Sequence, residues 1–496
     1  MKRSLTLCLA GLLCCASMAL GADLVIDDVT VVSPQQAQPL TKQHVLIREG
    51  RIVSVSAQPV SKGAGQHIDG RSKFLVPGLT DSHVHVSTPA GLPFPTDDPA
   101  ITELQKAYVR QQPRSYLYFG VTQLVDLANL PEGIAAFEAQ PQRPDLFRCG
   151  AAPVLDGYPT VFADPSVRYK LFPDFIYEPA NAAQHPLPPG EEAAKHTPEA
   201  VIQKIAASDA RCVKIFIEDG FGDSTEWPIM SKDALARVRA ETRKHRLLLV
   251  AHANALDMQR IALDTDVDVI AHGLWNWSKE TSTQGVPEAI AAHLRNVHAK
   301  HIGYQPTLRV ITGLADLFRA DTLEDPNYAK VVPPSLLAWY ATDAAQFFKR
   351  QMKGGSQDPD VKIMHDLLQV SSQGMRALGY LQSLGHPFLL GSDTPSSPTY
   401  GNQPGYDTYR EMRMMAQSGV PLKAIFEAGT INNARQFGFD KDYGTVEPGK
   451  IANLVLLNAN PLETLRAWDQ IDSIVLHGQI IKRGTLAADR AEAQRR

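Results

Sequence analysis

Between residues 76 and 440 the chain repeats one hydrophobic pattern. A short apolar run, rich in Val, Ile and Leu, gives way to a longer stretch whose apolar residues recur at three- and four-residue intervals. The first kind reads as a strand buried on both faces, the second as an amphipathic helix. Runs at 74–86, 120–126, 149–155, 211–217, 247–252, 267–272, 301–307 and 387–393 give the strands, with helices at 198–208, 232–245 and 287–300 among those between them. Eight β–α alternations predict an α/β fold, a (β/α)8 TIM barrel, whose chemistry gathers at the C-terminal ends of the strands.

The two ends of the chain carry a different pattern. Short β-type segments at 24–32, 44–47 and 51–54 are separated by Gly and Pro turns, and segments at 452–457, 474–476 and 479–481 answer them near the C-terminus. Strands at both ends of a long middle predict one small β-sandwich-like domain, 23–75 plus 441–485, re-entered through a turn at 444–450. The barrel then takes 76–440 and a C-terminal tail 486–496. Two insertions exceed simple connections: 157–197, rich in Pro and aromatics, and 313–380, with Trp339, Tyr340, Phe347 and Phe348. Loops of this length are expected either as walls or a lid over the barrel mouth, or as packing against the end domain or a second subunit.

The ends of the runs carry the candidate chemistry. His83 and His85 share one strand face. His252 closes the fifth run, His272 the sixth and Asp393 the eighth, while Lys214 lies inside the fourth. One histidine at a strand end is commonly a satisfied core residue; repetition at the same end of successive strands points to a ligand set. These donors suit a divalent metal, Zn2+ first, or Mn2+ or Co2+. A bound cation moves the pKa of its water from about 15.7 to ~7. Asp393, ionised beside that water, would take its proton and pass it to a departing amine. An ammonium at Lys214 would be repelled, whereas a carbamate formed with CO2 would bridge two cations, and burial favours the free amine that reacts. The alternative is a barrel lysine paired with Asp126 or Glu218. His301 begins its run, and His293 and His298 fall in a helical pattern, so these are assigned to core or surface. His185, His196 and His365 lie in the insertions as pocket candidates. Arg168, Lys170 and Arg309 are candidate cations for a substrate carboxylate; other substrate contacts are unassigned.

Composition narrows the partners. Residues 1–22 read as a secretory signal peptide: Lys2 and Arg3, an apolar core at 5–16, and small residues near 19–22. The expected location is therefore periplasmic or secreted. The core is too short to span a bilayer and no stretch of ~20 apolar residues follows, so no membrane anchor is expected. A net charge of −4 over 496 residues argues against nucleic acid or an anionic membrane as partner. A small-molecule substrate remains, with a homo-oligomer open. Cys8, Cys14 and Cys15 fall in the leader; Cys149 and Cys212, each beside an apolar run, read as buried free thiols rather than a disulfide.

Pro77-Gly78-x-x-Asp81-x-His83-x-His85, followed in order by Lys214, His252, His272 and Asp393, resembles the amidohydrolase superfamily, most of all its imidazolonepropionase-related and Xaa-Pro dipeptidase-like branch. Segments 401–405 and 430–434 add to the likeness. The resemblance implies that His83, His85 and Asp393 hold a first metal and His252 and His272 a second, bridged by carboxylated Lys214; without the bridge the count is one. It implies an exported metal-dependent amidohydrolase cleaving an amide-type C–N bond of a small molecule. The alternatives are a metallo-dipeptidase or carboxypeptidase acting on Xaa-Pro or N-acyl amino acids, and lactonase- or phosphotriesterase-like hydrolysis. A binding protein on a dead barrel has no reason to keep the full donor set. Two positions depart from the family pattern: Ala271, where many members are acidic before the strand-six histidine, and Asn453, where Ala-Asp-Leu is usual. The second reads as structural.

Overall fold

The structure, a computed structural model, describes residues 23–61, 65–222, 224–282 and 284–493. The leader at 1–22 lies outside the described residues. At the N-terminal end come β1 (Leu24–Val31), β2 (Leu40–Arg48), β3 (Arg51–Ser56), β4 (Gln66–Asp69) and β5 (Phe74–Pro77). The middle supplies β6 (Leu79–Val84), β7 (Val121–Asp126), β8 (Asp145–Ala151), β9 (Ala210–Phe216), β10 (Leu248–His252), β11 (Val269–Ala271) and β12 (Gly303–Gln305). The C-terminal end adds β13 (Leu454–Leu457), β14 (Ile471–Leu476) and β15 (Gln479–Lys482).

Both ends enter one sheet, ordered β15-β14-β13-β5-β1-β2-β3, with β4 also paired to β1. Its centre joins the two termini: β5 and β13 run antiparallel with Leu75 opposite Leu456 and Val76 opposite Val455. Side chains alternate across this seam. Leu75, Leu454 and Leu456 pack with Ile26, Val45 and Ile47 inside the end domain. Val76, Val455 and Leu457 face the other way, into the core of the barrel's outer layer. One sheet thus serves its own core and the dock to the barrel.

The apolar run at 74–86 is cut at Gly78. β5 belongs to the end sheet and β6 starts the barrel, and Gly78 N–H donates to the Asn453 carbonyl at the crossing. A Cβ on Gly78 would stand 1.8 Å from Thr122 Oγ1, so the chain passes there only without a side chain. Asn453 is buried at the same junction. Its amide donates to Asp145 at 2.7 Å and its oxygen accepts from His477 N–H at 2.8 Å. The departure at 453 therefore meets structural partners.

β6 to β12 form a parallel sheet in sequence order. Val125, Cys149, Cys212, Val250, Val269 and Leu389 fill its interior, buried with Phe437 and Phe439. Val213, Leu249 and Ile270 face outward against Val201, Leu235 and Val238 of the surrounding helices. The predicted eighth strand is not a ladder strand. The segment at 387–393 closes the gap by single bonds instead: Leu389 N–H to the Tyr304 carbonyl, Ser82 N–H to the Leu390 carbonyl, and Asp393 N–H to the His83 carbonyl at 2.8 Å. Side chains replace the rest of the ladder, since the Asn433 amide also donates to the Leu390 carbonyl at 2.9 Å. The third strand lies earlier than predicted, at Asp145–Ala151, and Pro153, with no N–H to give, falls beyond it.

The cysteine reading is corrected. Cys149 and Cys212 form a disulfide. The register of β8 on β9 sets them directly opposite, with Cα atoms 4.5 Å apart. Apolar flanks alone gave no sign of that register.

The insertions part ways. Tyr158, Pro159 and residues 170–174 line the cavity at the barrel mouth, whereas nothing from 313–380 does. That stretch packs instead: helix Asp360–Ser383 lies against helices Glu288–Ala299 and Arg309–Ala315, and the short helices before it meet Pro99–Tyr118 and the C-terminal helix Ala488–Ala493. Leu486, in the stretch read as a tail, is buried. Among the described residues no helix is long and apolar enough to cross a membrane.

Candidate metal centre

A cavity of about 660 Å³ opens at the C-terminal ends of the barrel strands, and His83, His85, Lys214, His252, His272 and Asp393 all line it. Segments up to hundreds of residues apart in sequence are brought there by strand order alone. One ligand atom each from His83, His85 and Asp393 fall within 4.8 Å of one another. Asp393 Oδ1 is 3.1 Å from His83 Nε2 and 2.9 Å from His85 Nε2, yet it accepts no hydrogen bond aligned to the usual geometry. Short, unaligned approaches of donors suited to a cation are what a shared ion produces.

In three of the four rings one nitrogen is held by a protein partner, which orients the ring, while His83 Nδ1 is buried without one. His85 Nδ1 donates to the Ala128 carbonyl at 3.1 Å, leaving Nε2 bare. His252 Nε2 engages Glu218 at 3.2 Å, and the Asn254 amide donates to the same carboxylate at 2.8 Å, leaving Nδ1. His272 Nδ1 meets Thr307 Oγ1 at 2.9 Å, leaving Nε2. The rings form a chain, with centroids 5.4 Å apart for His83–His85, 5.0 Å for His83–His272 and 4.4 Å for His252–His272. His272 and Asp393 hold positive φ, 91° and 56°, a costly backbone state for side-chain-bearing residues that clusters at functional sites.

Burial sets the electrostatics. It pushes His83 down to about 3 and holds His252 and His272 well below the usual imidazole range, so all three stay neutral and able to donate a lone pair. Burial would raise Asp393, but the His83 and His85 rings overturn it and keep that carboxyl ionised well below its ordinary range. Lys214 is the anomaly. Its Nζ is buried with no hydrogen-bond partner, and burial brings it down to about 7 against the opposing charge of Asp393. Neither expected pairing occurs: Glu218 is taken by His252 and Asn254, and Asp126 accepts the N–H groups of Val86 and Ala128. As an ammonium, Lys214 would have, among the described residues, only the Phe216 ring, 5.9 Å away, and the charge of Asp393 to answer it, and a cluster of imidazoles with one carboxylate is a donor set suited to a cation. The residues present therefore fit divalent metal.

Several candidates fall outside the site. His185 pairs with Asp156, His196 stacks on Phe175 and bonds Glu191, and His365 meets Gln369 on an exposed helix face. His293 is a core residue bonded to Gln259, and His298 and His301 lie against each other and near His386, off the cavity. Arg309 is buried in ion pairs with Asp316 and Asp407, and Arg168 is paired with Asp156; neither lines the cavity. Lys170 does, joined by Lys204 and Arg148, which the sequence reading passed over. Lys204 is paired with Asp174 at 2.5 Å, leaving Lys170 without an ion pair among the described residues. Asn254 and Thr307 were also missed; Asn254 follows the candidate His252 by 2 residues, whereas Thr307 comes 35 residues after His272.

Residues 309–481 match the amidohydrolase family. A 74-residue stretch is 35% identical to the imidazolonepropionase of Shouchella clausii (strain KSM-K16), covering 14% of this chain and 17% of that protein. A 64-residue stretch is 30% identical to the L-hydantoinase of Paenarthrobacter aurescens, covering 13% of each. The matched stretches thus span less than a fifth of those relatives. Among solved structures, a prolidase complexed with N-methylphosphonate-L-proline superposes over 93% of this chain and 100% of its own, with TM-score 0.65 and 19% identity. That last likeness is one of fold. The family match lies downstream of the strand-one motif and includes Asp393 of the candidate site.

Proposed function

We propose that this chain is an exported, metal-dependent amidohydrolase that cleaves an amide-type C–N bond of a small molecule. One observation carries the reading: four imidazoles, one carboxylate and a buried lysine without a hydrogen-bond partner, on or just beyond β6, β9, β10, β11 and the closing segment 387–393, line one cavity at the C-terminal face of the barrel. The family match and the names of the relatives, an imidazolonepropionase and an L-hydantoinase, support C–N hydrolysis.

His83, His85 and Asp393 would hold one ion, His252 and His272 a second, with Lys214, as its carbamate, between them. Zn2+ is the first candidate, and such ions supply an acidified water and a polarised carbonyl. The protein's own residues do the rest. Glu218 and Asn254 hold the His252 ring in one orientation, and Thr307 does so for His272. Asp393, kept ionised, takes a proton from the attacking water as the C–O bond forms and returns it to the leaving nitrogen as the C–N bond breaks. Lys170, at the cavity wall, favours amides that also carry a carboxylate, which is the observation behind the second reading, a dipeptidase or N-acyl amino acid hydrolase.

The test is elemental analysis of the purified protein combined with turnover of a panel of amides, dipeptides and lactones. Two equivalents of a transition metal per chain, with amide turnover lost on chelation and restored by Zn2+, is the expected result. Unchanged turnover in metal-free protein would reject it. Methyl esters of the carboxylate substrates, hydrolysed as fast as the free acids, would reject the second reading.

A further inference from the structure

Four aromatic rings from two β→α loops cluster beside the metal centre. Tyr158 and Trp227 lie nearly parallel with centroids 5.9 Å apart, and Phe162 and Phe221 do the same at 6.1 Å. The second pair stands at 71–86° to the first, with centroids 5.1–6.0 Å away. Edge-to-face and offset contacts of this kind make a stable, preorganised apolar ledge. Its inner end touches the site: the Tyr158 ring is 4.4 Å from the His252 ring and lines the cavity. Phe216, two residues beyond Lys214 on the same strand face, backs it with its centroid 5.9 Å from Tyr158.

The outer end is open. Phe162 is 59% exposed and Phe221 49% exposed. The remaining exposed phenylalanine among the described residues, Phe94 at 41%, lines the cavity itself, whereas Phe162 and Phe221 stand beyond its lining and reach it through Tyr158. Large rings left facing water are costly unless something covers them, and Phe162 and Phe221 lie one ring beyond the cavity wall, against Tyr158.

Resting on the amidohydrolase reading, we propose that the ledge is a substrate subsite for an aromatic ring, so that the natural substrates are arene-bearing amides. The reacting bond sits among His83, His252 and Asp393, and the arene projects past Tyr158 to lie on Phe162 and Phe221. The continuity of the ledge with the cavity selects a substrate group over a second protein copy.

The experiment uses the full metal-loaded enzyme, the metal-stripped enzyme and a Phe162→Ala/Phe221→Ala double variant. Binding of 2-naphthylacetamide and of acetamide is measured by calorimetry, and turnover is measured for N-benzoyl and N-acetyl derivatives of one amine. The expected result is a preference of about tenfold or more for the aromatic member in wild type, in both metal states for binding, collapsing in the double variant while the acetyl compounds are unaffected. Equal handling of both members by wild type, or equal losses for both in the variant, overturns the subsite. A variant that changes oligomeric state by light scattering without changing selectivity also overturns it, assigning the rings to a contact between copies. Failure of the hydrolase reading is distinct: neither amide turns over, yet the binding preference stands.

Discussion

Asp81 accepts both the backbone N–H and the hydroxyl of Ser392, at 3.0 and 2.6 Å, across 311 residues of sequence. The same carboxylate accepts Thr408 Oγ1 at 2.6 Å and His83 N–H at 3.2 Å. It therefore fastens the strand that presents His83 and His85 to the segment that presents Asp393. Asp81→Ala leaves the buried Thr408 hydroxyl and the Ser392 N–H without their partner, although Ser392 Oγ keeps Thr394 Oγ1 at 2.7 Å, and should cost about 3 kcal/mol by denaturant titration. It should also weaken metal retention by roughly 10–100-fold in a chelator competition. Wild-type metal affinity in a folded Asp81→Ala protein would show that this clasp does not set the ligand geometry.

Lys214→Ala should reduce metal content by one equivalent per chain and lower turnover by at least about 100-fold. Wild-type protein equilibrated with carbon-13-labelled CO2 should show a carbamate carbon signal that the variant lacks. In metal-free protein the sign of the stability effect reverses. Lys214→Met replaces an unpartnered buried amine with an apolar chain and should stabilise by about 1–3 kcal/mol in a thermal melt. A destabilised metal-free Lys214→Met would mean that the amine has a partner after all.

How the sequence spoke depended on scale. The β–α period, the strand-end histidines and Asp393 were legible because a parallel barrel writes continuous apolar runs and places its chemistry at one end of each. What failed was anything set by register or by a single residue. Gly78 breaks an unbroken apolar run because Thr122 stands against it, and only packing reveals that neighbour. The eighth segment has strand composition, yet Asp393 takes positive φ and side chains close the barrel there. Cys149 and Cys212 look alike as thiols or as a disulfide until β8 is set beside β9. Arg309 seemed available in a loop, but Asp316, 7 residues on, and Asp407, 98 residues on, both pair with it, and only the first is near it in sequence.

The Cys149–Cys212 bridge closes a sequence separation of 63 in the barrel interior. Its loss as a double Ser variant should cost about 4 kcal/mol on the chain-entropy estimate. Cys149 and Cys212 are both buried, so native protein should resist their alkylation even with reductant, and both should be alkylated only after unfolding and reduction. Mass spectrometry of alkylated protein reads this directly; rapid labelling of native protein would contradict the bridge's placement.

Asp472 is predicted to give the end sheet an acid limit. Burial would raise its carboxyl, but Lys73, Ser473 and Lys482 outweigh it and bring it from the ordinary 3.8 to about 2. A depressed carboxyl contributes stability above its unfolded pKa that is lost as pH falls through the folded value. The contribution, about 1 kcal/mol after allowing for solvent screening, should be complete above pH ~4 and gone near pH ~2. Asp472→Asn should therefore lower the melting temperature at neutral pH and match wild type at the acid end. A gap that persists at low pH would assign the effect to shape rather than charge.

The seam between β5 and β13 ties the order of synthesis to the order of folding. All six cavity-lining candidates leave the ribosome before Leu454, yet β5, the strand that leads into the first pair of histidines, has no neighbour on one side until β13 arrives. A nascent chain can hold its chemical groups in hand and still lack the surface on which the barrel rests. Shortening the protein just after Asp393 would thus yield an unstable product rather than a smaller enzyme, and whatever assists this chain before completion has an exposed β5 edge to guard.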